Sequence, residues 1–331
     1  MRALLIVNPH ATSTTQVRKD VIGHALAARL DLEVVQTRYR GHASSVAEAA
    51  ARDGYGLVLT LGGDGTVNEA VNGLLRAHPP ASARPASARP ASARPASARP
   101  AAAPPPGPLL AALPGGNANV FTRALGLPAD PVDATGRVLA SLPAGRTRTV
   151  GLGRADDRYF CFNAGLGLDA EVVRLVEGLR ARGRPASAAL YLWAAARQFS
   201  SVTNRREPAL TLERDGAPAV DALFLGLISN TCPWTYLGQR PVRASPAAGF
   251  DTGLDLFALR RLSTIGTLNA VRQMLGRDGG PTGKHVVTLH DQDALTFRAA
   301  RPVAVQLDGE YVGEREHVLI HSVPNALRVV V

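Results

Sequence analysis

The stretch Leu57-Val58-Leu59-Thr60-Leu61-Gly62-Gly63-Asp64-Gly65-Thr66-Val67-Asn68-Glu69-Ala70-Val71-Asn72-Gly73 decides the fold of this chain. It begins with an apolar run of strand length, breaks at paired glycines and continues with apolar residues at helical spacing. A strand, a glycine turn and a helix in this order direct backbone N–H groups toward an anion. The glycines permit positive φ and leave no Cβ between backbone and ligand. The stretch therefore predicts a phosphate site.

Asp64 lies in the middle of this turn, where a carboxylate would repel a bare phosphate. A divalent cation or a hydroxyl proton between the two groups would remove that repulsion. We therefore expect nucleotide phosphates here, together with a metal or a proton-transfer role. A tight strand-to-helix turn that binds no ligand is the alternative.

Similar units flank this stretch. Strands are predicted at Ala3–Val7, Leu32–Thr37 and Leu109–Leu113, and helical patterns follow them. Alternating strands and helices predict a mostly parallel sheet with helices on both faces, and ligands gather at the carboxyl ends of such strands. The predicted ends carry polar or glycine-rich segments: Asn8 to Thr12, Thr37, the Gly62–Gly65 turn and Pro114-Gly115-Gly116-Asn117-Ala118-Asn119.

A low-complexity segment interrupts this pattern. Residues 81–100 are four tandem copies of Ala-Ser-Ala-Arg-Pro, and proline at every fifth position excludes both helix and sheet ladders. We predict a disordered, solvated insert over residues 79–108. A neutral insertion is the favoured interpretation, and membrane tethering or protein docking is the alternative.

The second half of the chain has a different period. From Thr147 onward, short β-like segments are separated by loops rich in Gly, Pro and Asp, which favours an antiparallel sandwich or barrel. Two helices, near Leu168–Arg180 and Ala188–Val202, interrupt these segments. The second helix has large apolar residues all round, which could line an apolar cleft or pack as ordinary core. The predicted fold class is thus an α/β domain followed by a β-rich, sandwich-like domain.

Composition limits the partners. The 331 residues carry a formal net charge of +10, almost all of it from arginine, which favours phosphates or acidic lipid headgroups as partners. Aromatic residues are only 5%, with no arginine–aromatic interleaving, so nucleic acid is not expected. We expect a cytoplasmic protein. The sequence has only two cysteines, and we recognise in it neither a signal peptide nor an apolar run long enough to span a membrane.

The motifs together resemble the diacylglycerol kinase catalytic-domain family, which includes bacterial lipid kinases and sphingosine kinases and is related to the NAD kinases. The resemblance rests on Asn8-Pro9, on Gly-Gly-Asp-Gly-Thr with Asn68-Glu69-x-x-Asn72-Gly73, on Pro114-Gly-Gly-Asn-x-Asn119 and on Leu307-Asp308-Gly309-Glu310. It implies an NAD-kinase-like ATP-binding domain over 1–145, a β-rich lipid-substrate domain over 146–322 and a segment, 323–331, that returns to the first domain. The active site would lie in the cleft between the domains.

The resemblance also implies site residues. Those matched to ATP contacts are Asn8, Pro9, Thr12, Thr37, Gly62, Gly63, Asp64, Gly65, Thr66, Val67, Asn68, Glu69 and Asn117. Asn117 stands where the family often has threonine, and Val120 where many members have aspartate. Glu310 matches the proton acceptor proposed in bacterial members, with Asp308 and Asp64 as further catalytic candidates, although Asp308-Gly309-Glu310 alone also fits a plain hairpin turn. Asp251 matches a structural metal site, and a plain turn residue is equally consistent with it.

These residues predict an ATP- and Mg²⁺-dependent kinase of lipid metabolism and phospholipid biosynthesis. Its acceptor would be the free hydroxyl of a diacylglycerol-like or sphingoid lipid at an anionic membrane surface, reached from the inner membrane face, and a homodimer is one assembly we consider. The alternatives are a kinase of a soluble substrate, as in NAD kinases, and a non-catalytic nucleotide- or lipid-binding regulator. Asp169, after the second domain's Asn163-Ala-Gly-Leu-Gly segment, is expected to cap the following helix.

Overall fold

The computed structural model describes residues 1–9, 11, 15–83, 105–184, 187–202, 207–276 and 280–331. Thr12 and most of the predicted insert lie outside this description. The described residues form two compact units. Unit 1 runs to Leu152 and includes Val323–Val331, and unit 2 comprises Gly153–Ser322.

Unit 1 is built on a parallel sheet. Its strands are β1 (Arg2–Val7), β2 (Asp31–Gln36), β3 (Leu57–Gly62) and β4 (Leu109–Pro114), and its helices are α1 (Gln16–Ala27), α2 (His42–Arg52), α3 (Asp64–Ala77), α4 (Val120–Ala124) and α5 (Pro131–Ser141). The strand order is β2-β1-β3-β4, and Val329 near the C-terminus pairs in parallel with Leu110 of β4. β1, β3 and β4 are almost entirely buried, as expected for strands covered by helices on both faces.

The start of the predicted insert has local structure. Ala81–Ala83 form a single 3-10 turn, and the Ser82 hydroxyl donates to the Pro324 carbonyl oxygen at 2.7 Å. This bond joins the start of the insert to the C-terminal segment within unit 1. Residues 84–104 lie outside the described part of the chain.

Helices α2 and α3 cross at Gly73. A Cβ at this position would lie 2.1 Å from the Ser44 carbonyl oxygen, so the crossing has no room for a side chain.

We expect Gly73→Ala to lower the free energy of unfolding by about 1–3 kcal/mol or more, because the helices must separate. Gly136→Ala in α5 is the matched control, since a Cβ there meets nothing within 4 Å. It should leave stability unchanged or raise it slightly, and equal urea midpoints for the two variants would contradict the crossing argument.

Unit 2 is dominated by antiparallel strands. Its strands are β5 (Thr147–Ala155, which begins in unit 1), β6 (Arg158–Phe160), β7 (Asn163–Gly167), β8 (Leu210–Arg214), β9 (Ala217–Leu223), β10 (Leu225–Ser229), β11 (Thr235–Leu237), β12 (Arg240–Val242), β13 (Leu254–Leu259), β14 (Val286–Gln292), β15 (Ala294–Leu307) and β16 (Glu310–Val330, which ends in unit 1). Its helices are α6 (Leu168–Ala181), α7 (Ala188–Arg197) and α8 (Thr264–Met274). The order β14-β13-β10-β7-β15-β16 forms the main sheet; β8 also pairs with β15, and β9 pairs with β8.

The core of unit 2 lies between these strands. Phe160, Leu212, Ile228, Leu256 and Phe297 are each fully buried and belong to one apolar cluster. The predicted class, an α/β domain followed by a β-rich domain, is thus confirmed.

Helix α8 was not predicted, and α7 ends at Arg197, after which Gln198–Val202 form a single π turn. No helix in the described ranges has both the length and the apolar character needed to cross a membrane.

Candidate functional site

Two glycine turns meet in unit 1, at the carboxyl ends of β3 and β4. The Gly115 N–H donates to the Gly62 carbonyl oxygen at 2.8 Å. A Cβ on Gly116 would lie 2.5 Å from Gly63 Cα, and a Cβ on Gly115 would lie 2.8 Å from Gly62 N. Gly63 itself is extended, with φ −82° and ψ 179°. Gly115 and Gly116 are therefore required by backbone-to-backbone contact, and Gly63 does not use the positive φ that glycine permits.

Asp64 joins the two turns. It is the first residue of α3, and its carboxylate accepts from the backbone N–H groups of Val120 at 3.1 Å and Phe121 at 3.2 Å. Both donors belong to the first turn of α4, so the side chain supplies acceptors to a neighbouring helix N-terminus. Asp64 therefore fixes the second turn relative to the first. Its catalytic role stays a prediction.

The other strand ends of unit 1 carry the remaining predicted contacts. The Asn8 N–H donates to the Leu61 carbonyl oxygen at 3.0 Å, and Asn8 Nδ2 donates to Thr66 Oγ1 at 3.3 Å. Pro9 is half-buried, and its carbonyl accepts from Lys19 Nζ at 2.8 Å. Thr37 follows β2 and lines a pocket of about 560 Å³. The strand ends thus bring Asn8, Thr37 and the Gly62–Thr66 turn to one edge of the sheet.

Several predicted residues of α3 and the second turn have structural contacts. Glu69 accepts from the backbone N–H groups of Gly41 at 2.7 Å and Ala43 at 3.2 Å, and so caps α2. Val67 and Asn68 are buried, and Asn68 accepts from Asn72 Nδ2. Asn117 is exposed. The neighbouring Asn119, which is buried, bonds both the N–H and the carbonyl of Gly116.

A carboxylate-bearing turn joins β15 and β16 in unit 2. Leu307 pairs with Glu310, and the two residues between them have positive φ, 50° at Asp308 and 79° at Gly309. These values are those of a two-residue type I′ hairpin. Asp308 is 4% exposed, and its carboxylate accepts from the N–H groups of Cys161 at 2.6 Å, Phe162 at 2.9 Å and Asn163 at 3.1 Å. The sequence motif is therefore a hairpin turn whose aspartate holds the backbone between β6 and β7.

Glu310 is the first residue of β16. Its Oε2 lies 2.6 Å from Arg158 Nη2, and the two side chains are 18% and 30% exposed. This ion pair fixes the direction of the Glu310 carboxylate while leaving it within reach of solvent. Arg158 was not among the predicted site residues, because an arginine at the start of a β-like run carries no sequence signal of its own.

A second polar cluster beside this turn was also missed. Gln306 Nε2 donates to Asn163 Oδ1 at 2.9 Å and to Asp169 Oδ2 at 2.8 Å, and Gln306 Oε1 accepts from the Gly309 N–H at 2.8 Å. The N-cap of α6 is Gly167, without a side-chain capping bond, so the expected capping role of Asp169 is wrong. Desolvation raises the pKa of the Asp169 carboxyl to about 6, opposed by the Gln306 hydrogen bond.

Because the pKa of Asp169 is raised in the folded protein, the free energy of unfolding depends on pH, and the direction of that dependence can be predicted. The folded protein binds the proton more tightly than the unfolded chain, whose aspartate has its ordinary pKa near 3.8. The free energy of unfolding contributed by Asp169 is therefore greatest below about pH 4 and falls as pH rises through 6. Asp169→Asn keeps an acceptor for Gln306 and does not titrate. We expect its stability relative to wild type to rise between pH 4 and pH 7 in urea titrations, and a constant difference would contradict this assignment.

The predicted metal ligand Asp251 is exposed, in a turn where the Thr252 N–H donates to the Gly249 carbonyl at 3.1 Å. Farther along, the buried Asp255 bonds His290 Nδ1 at 2.8 Å and the Asp291 N–H at 3.1 Å. Within the described residues, no group of three or more His, Cys, Asp or Glu side chains is placed to hold a metal ion. A metal at Asp251 stays a prediction.

Comparison with known proteins adds independent information. Residues 2–155 match the model of the diacylglycerol kinase catalytic domain. A diacylglycerol kinase of Staphylococcus aureus strain JH9 is 25% identical over 321 residues, which cover 95% of this chain and 87% of that protein.

Solved structures share the fold. A putative diacylglycerol kinase from Bacillus anthracis strain Sterne matches with a TM-score of 0.70 at 21% identity, over 99% of this chain and 96% of that one. An NAD kinase from Archaeoglobus fulgidus, solved in complex with ATP, matches with a TM-score of 0.50 at 12% identity, over 100% and 94% of the two chains. The resemblance predicted from the sequence is thereby confirmed: residues 2–155 are similar to the catalytic domain of diacylglycerol kinases, and the chain as a whole is similar to a diacylglycerol kinase over 95% of its length.

Proposed function

We propose that this protein is an ATP-dependent lipid kinase that phosphorylates the free hydroxyl of a diacylglycerol-like lipid. The observation that carries the proposal is the match of residues 2–155 to a kinase catalytic domain whose glycine turns lie at the carboxyl ends of parallel strands. A sphingoid acceptor is the nearest alternative within the same chemistry. The acceptor is at a membrane surface in either case, so we also propose peripheral association with the inner membrane face.

Unit 1 would bind the nucleotide. The paired glycine turns bring two chain segments together without side chains, and the N-terminus of α3 begins at the same turn. Backbone N–H groups and a helix N-terminus suit phosphate oxygens. Asp64 supports this arrangement by holding the first turn of α4 through two hydrogen bonds. The thirteen predicted ATP contacts, Thr12 among them, remain part of the proposal.

Unit 2 would supply the acceptor base. Phosphoryl transfer requires an oriented hydroxyl and charge neutralisation more than covalent chemistry. Glu310 fits the first requirement, because Arg158 fixes its carboxylate and the side chain remains partly exposed. In the proposed reaction the lipid hydroxyl oxygen attacks the γ-phosphorus of ATP, Glu310 accepts the hydroxyl proton, and ADP leaves with the bridging oxygen. Asp308 builds the turn that presents Glu310.

Magnesium would accompany ATP. Mg²⁺ prefers few protein ligands and several phosphate or water oxygens, so the lack of a three-carboxylate group among the described residues is compatible with its use. Asp64 is the carboxylate inside the glycine turn of the predicted phosphate contacts, and we assign it to organising the Mg²⁺–ATP complex. The ion would neutralise charge on the phosphates.

The deciding experiment supplies ATP and Mg²⁺ with either a native lipid extract or NAD, and identifies the phosphorylated product by mass spectrometry. We expect a phosphorylated lipid and no phosphorylated NAD. Phosphorylation of NAD alone would replace the proposal with the soluble-substrate kinase, toward which the fold of the NAD kinase points. ATP binding without turnover on either substrate would favour the regulator. Sedimentation equilibrium of the same preparation tests the homodimer that the sequence analysis considers.

A further inference from the structure

Helix α8 of unit 2 presents an apolar face to solvent. Ile265 is 84% exposed, Leu268 63% and Val271 42%, and we call these three residues the α8 outer face. Their spacing of three residues places them on one side of the helix. The opposite side carries Ala270 and Met274, which are buried in the same apolar cluster as Phe257.

The outer face is rigidly held. The Ser263 side chain caps the N-terminus by accepting from the Gly266 N–H at 3.1 Å. At the other end, Gln273 bonds Thr282 through both its amide oxygen and its amide nitrogen. Because the core already uses the opposite side of the helix, folding of unit 2 does not require these exposed side chains. Their apolar character therefore points to a partner.

The chain segments on either side of α8 are basic. Among the described residues of 256–290, Arg260, Arg261, Arg272 and Lys284 are basic and none is acidic, and the aspartates next in sequence are Asp255 and Asp291. Within the helix, Arg272 is exposed and its guanidinium bonds Asn269 Oδ1 at 3.1 Å. Beyond the helix end, Arg240 Nη2 donates to the Leu275 carbonyl at 2.8 Å. An apolar face with cations beside it and no carboxylate on the helix is complementary to an anionic lipid surface.

We propose that the α8 outer face inserts into anionic bilayers and that the neighbouring arginines contact the lipid headgroups. This docking surface rests on the proposed function, since it brings the enzyme to a membrane that contains its acceptor. Ile265, Leu268 and Val271 would enter the boundary between headgroups and acyl chains, which is the depth that interfacial helices reach. The attraction of the basic residues would weaken as salt screens the charges.

The test compares two pairs of substitutions by sedimentation with vesicles. The first pair is Ile265→Asn with Leu268→Asn, and the matched control is Val17→Asn with Val21→Asn, exposed positions of α1 in unit 1. With vesicles of phosphatidylglycerol and phosphatidylcholine, we expect the α8 pair to weaken binding about tenfold or more, because two apolar side chains no longer leave water. The control pair should bind like wild type, and pure phosphatidylcholine vesicles should bind wild type poorly.

Three results would overturn the proposal: equal binding by wild type and the α8 pair, equal losses in the two pairs, or an α8 pair that converts a wild-type dimer into a monomer. Thermal unfolding midpoints of the α8 pair should match wild type, since both side chains are exposed. Turnover distinguishes this proposal from the proposed function. A wild type that phosphorylates no lipid while the α8 pair still loses vesicle binding contradicts only the kinase. Phosphorylation of vesicle diacylglycerol with unchanged binding of the α8 pair contradicts only the docking surface.

Discussion

Glu310→Gln should lower turnover of the lipid substrate by roughly 10²–10⁴-fold, the range for losing a general base. The amide keeps the shape of the side chain and one oxygen for Arg158, but it cannot take a proton from the acceptor hydroxyl. The KM for ATP should stay near the wild-type value, because the predicted nucleotide contacts belong to unit 1. Initial rates at saturating ATP, with diacylglycerol in mixed micelles, measure both quantities.

Glu314→Gln is the matched control for Glu310. Glu314 lies on the same strand and also pairs with an arginine, its Oε1 being 2.7 Å from Arg174 Nη1, but its side chain is 44% exposed. It should retain wild-type turnover. Turnover by Glu310→Gln within about threefold of wild type would remove Glu310 from the role of proton acceptor.

Asp64→Ala should differ from Glu310→Gln by weakening ATP binding as well, since it releases the first turn of α4.

The sequence predicted β1, β3 and β4 of unit 1 well because these strands are short, largely apolar and bounded by glycine, proline or asparagine. β3 was predicted at Leu57–Leu61 and observed at Leu57–Gly62. The reason for the glycines was harder to predict. At Gly115 and Gly116 the requirement depends on a turn more than fifty residues away, since a Cβ on Gly116 would lie 2.5 Å from Gly63 Cα. Local sequence shows only that glycine is allowed, whereas contact between the two turns makes it necessary.

In unit 2 the sequence indicated many short strands but not their partners. Helix α8 was not predicted because apolar residues lie on both of its sides. Ile265 and Leu268 therefore obscure the helical spacing of the apolar residues on the buried side, Ala270 and Met274. Asp169 was assigned to a helix cap because aspartate near a helix start usually caps. Its actual partner, Gln306, is 137 residues away and is brought close by the pairing of β7 with β15. Long-range partners of this kind leave no local trace in the sequence.

Asp308→Ala should be the most destabilising substitution in the carboxylate-bearing turn. The buried carboxylate accepts from three consecutive backbone N–H groups, and its removal leaves all three without that acceptor. At about 1–3 kcal/mol for each of the three unsatisfied buried donors, the loss is on the order of 3–9 kcal/mol. Such a loss is a large part of the roughly 5–15 kcal/mol that holds a typical domain folded. The urea midpoint of the whole chain should fall accordingly.

Asp156→Ala is the control for Asp308→Ala. It separates the stability lost with the hydrogen bonds from the stability lost through the backbone conformation. Asp156 and Asp308 have the same φ of 50°. Holding alanine in this left-handed conformation therefore costs the same free energy at both positions, about 1–2 kcal/mol. Asp156 is exposed, and its carboxylate accepts one long bond, from the Leu319 N–H at 3.3 Å. The difference between the two midpoints therefore measures the three buried bonds. If Asp308→Ala unfolded at the same urea concentration as Asp156→Ala yet lost turnover, Asp308 would act in catalysis. The structural argument predicts the opposite order: a clear fall in the midpoint at Asp308 and a small one at Asp156.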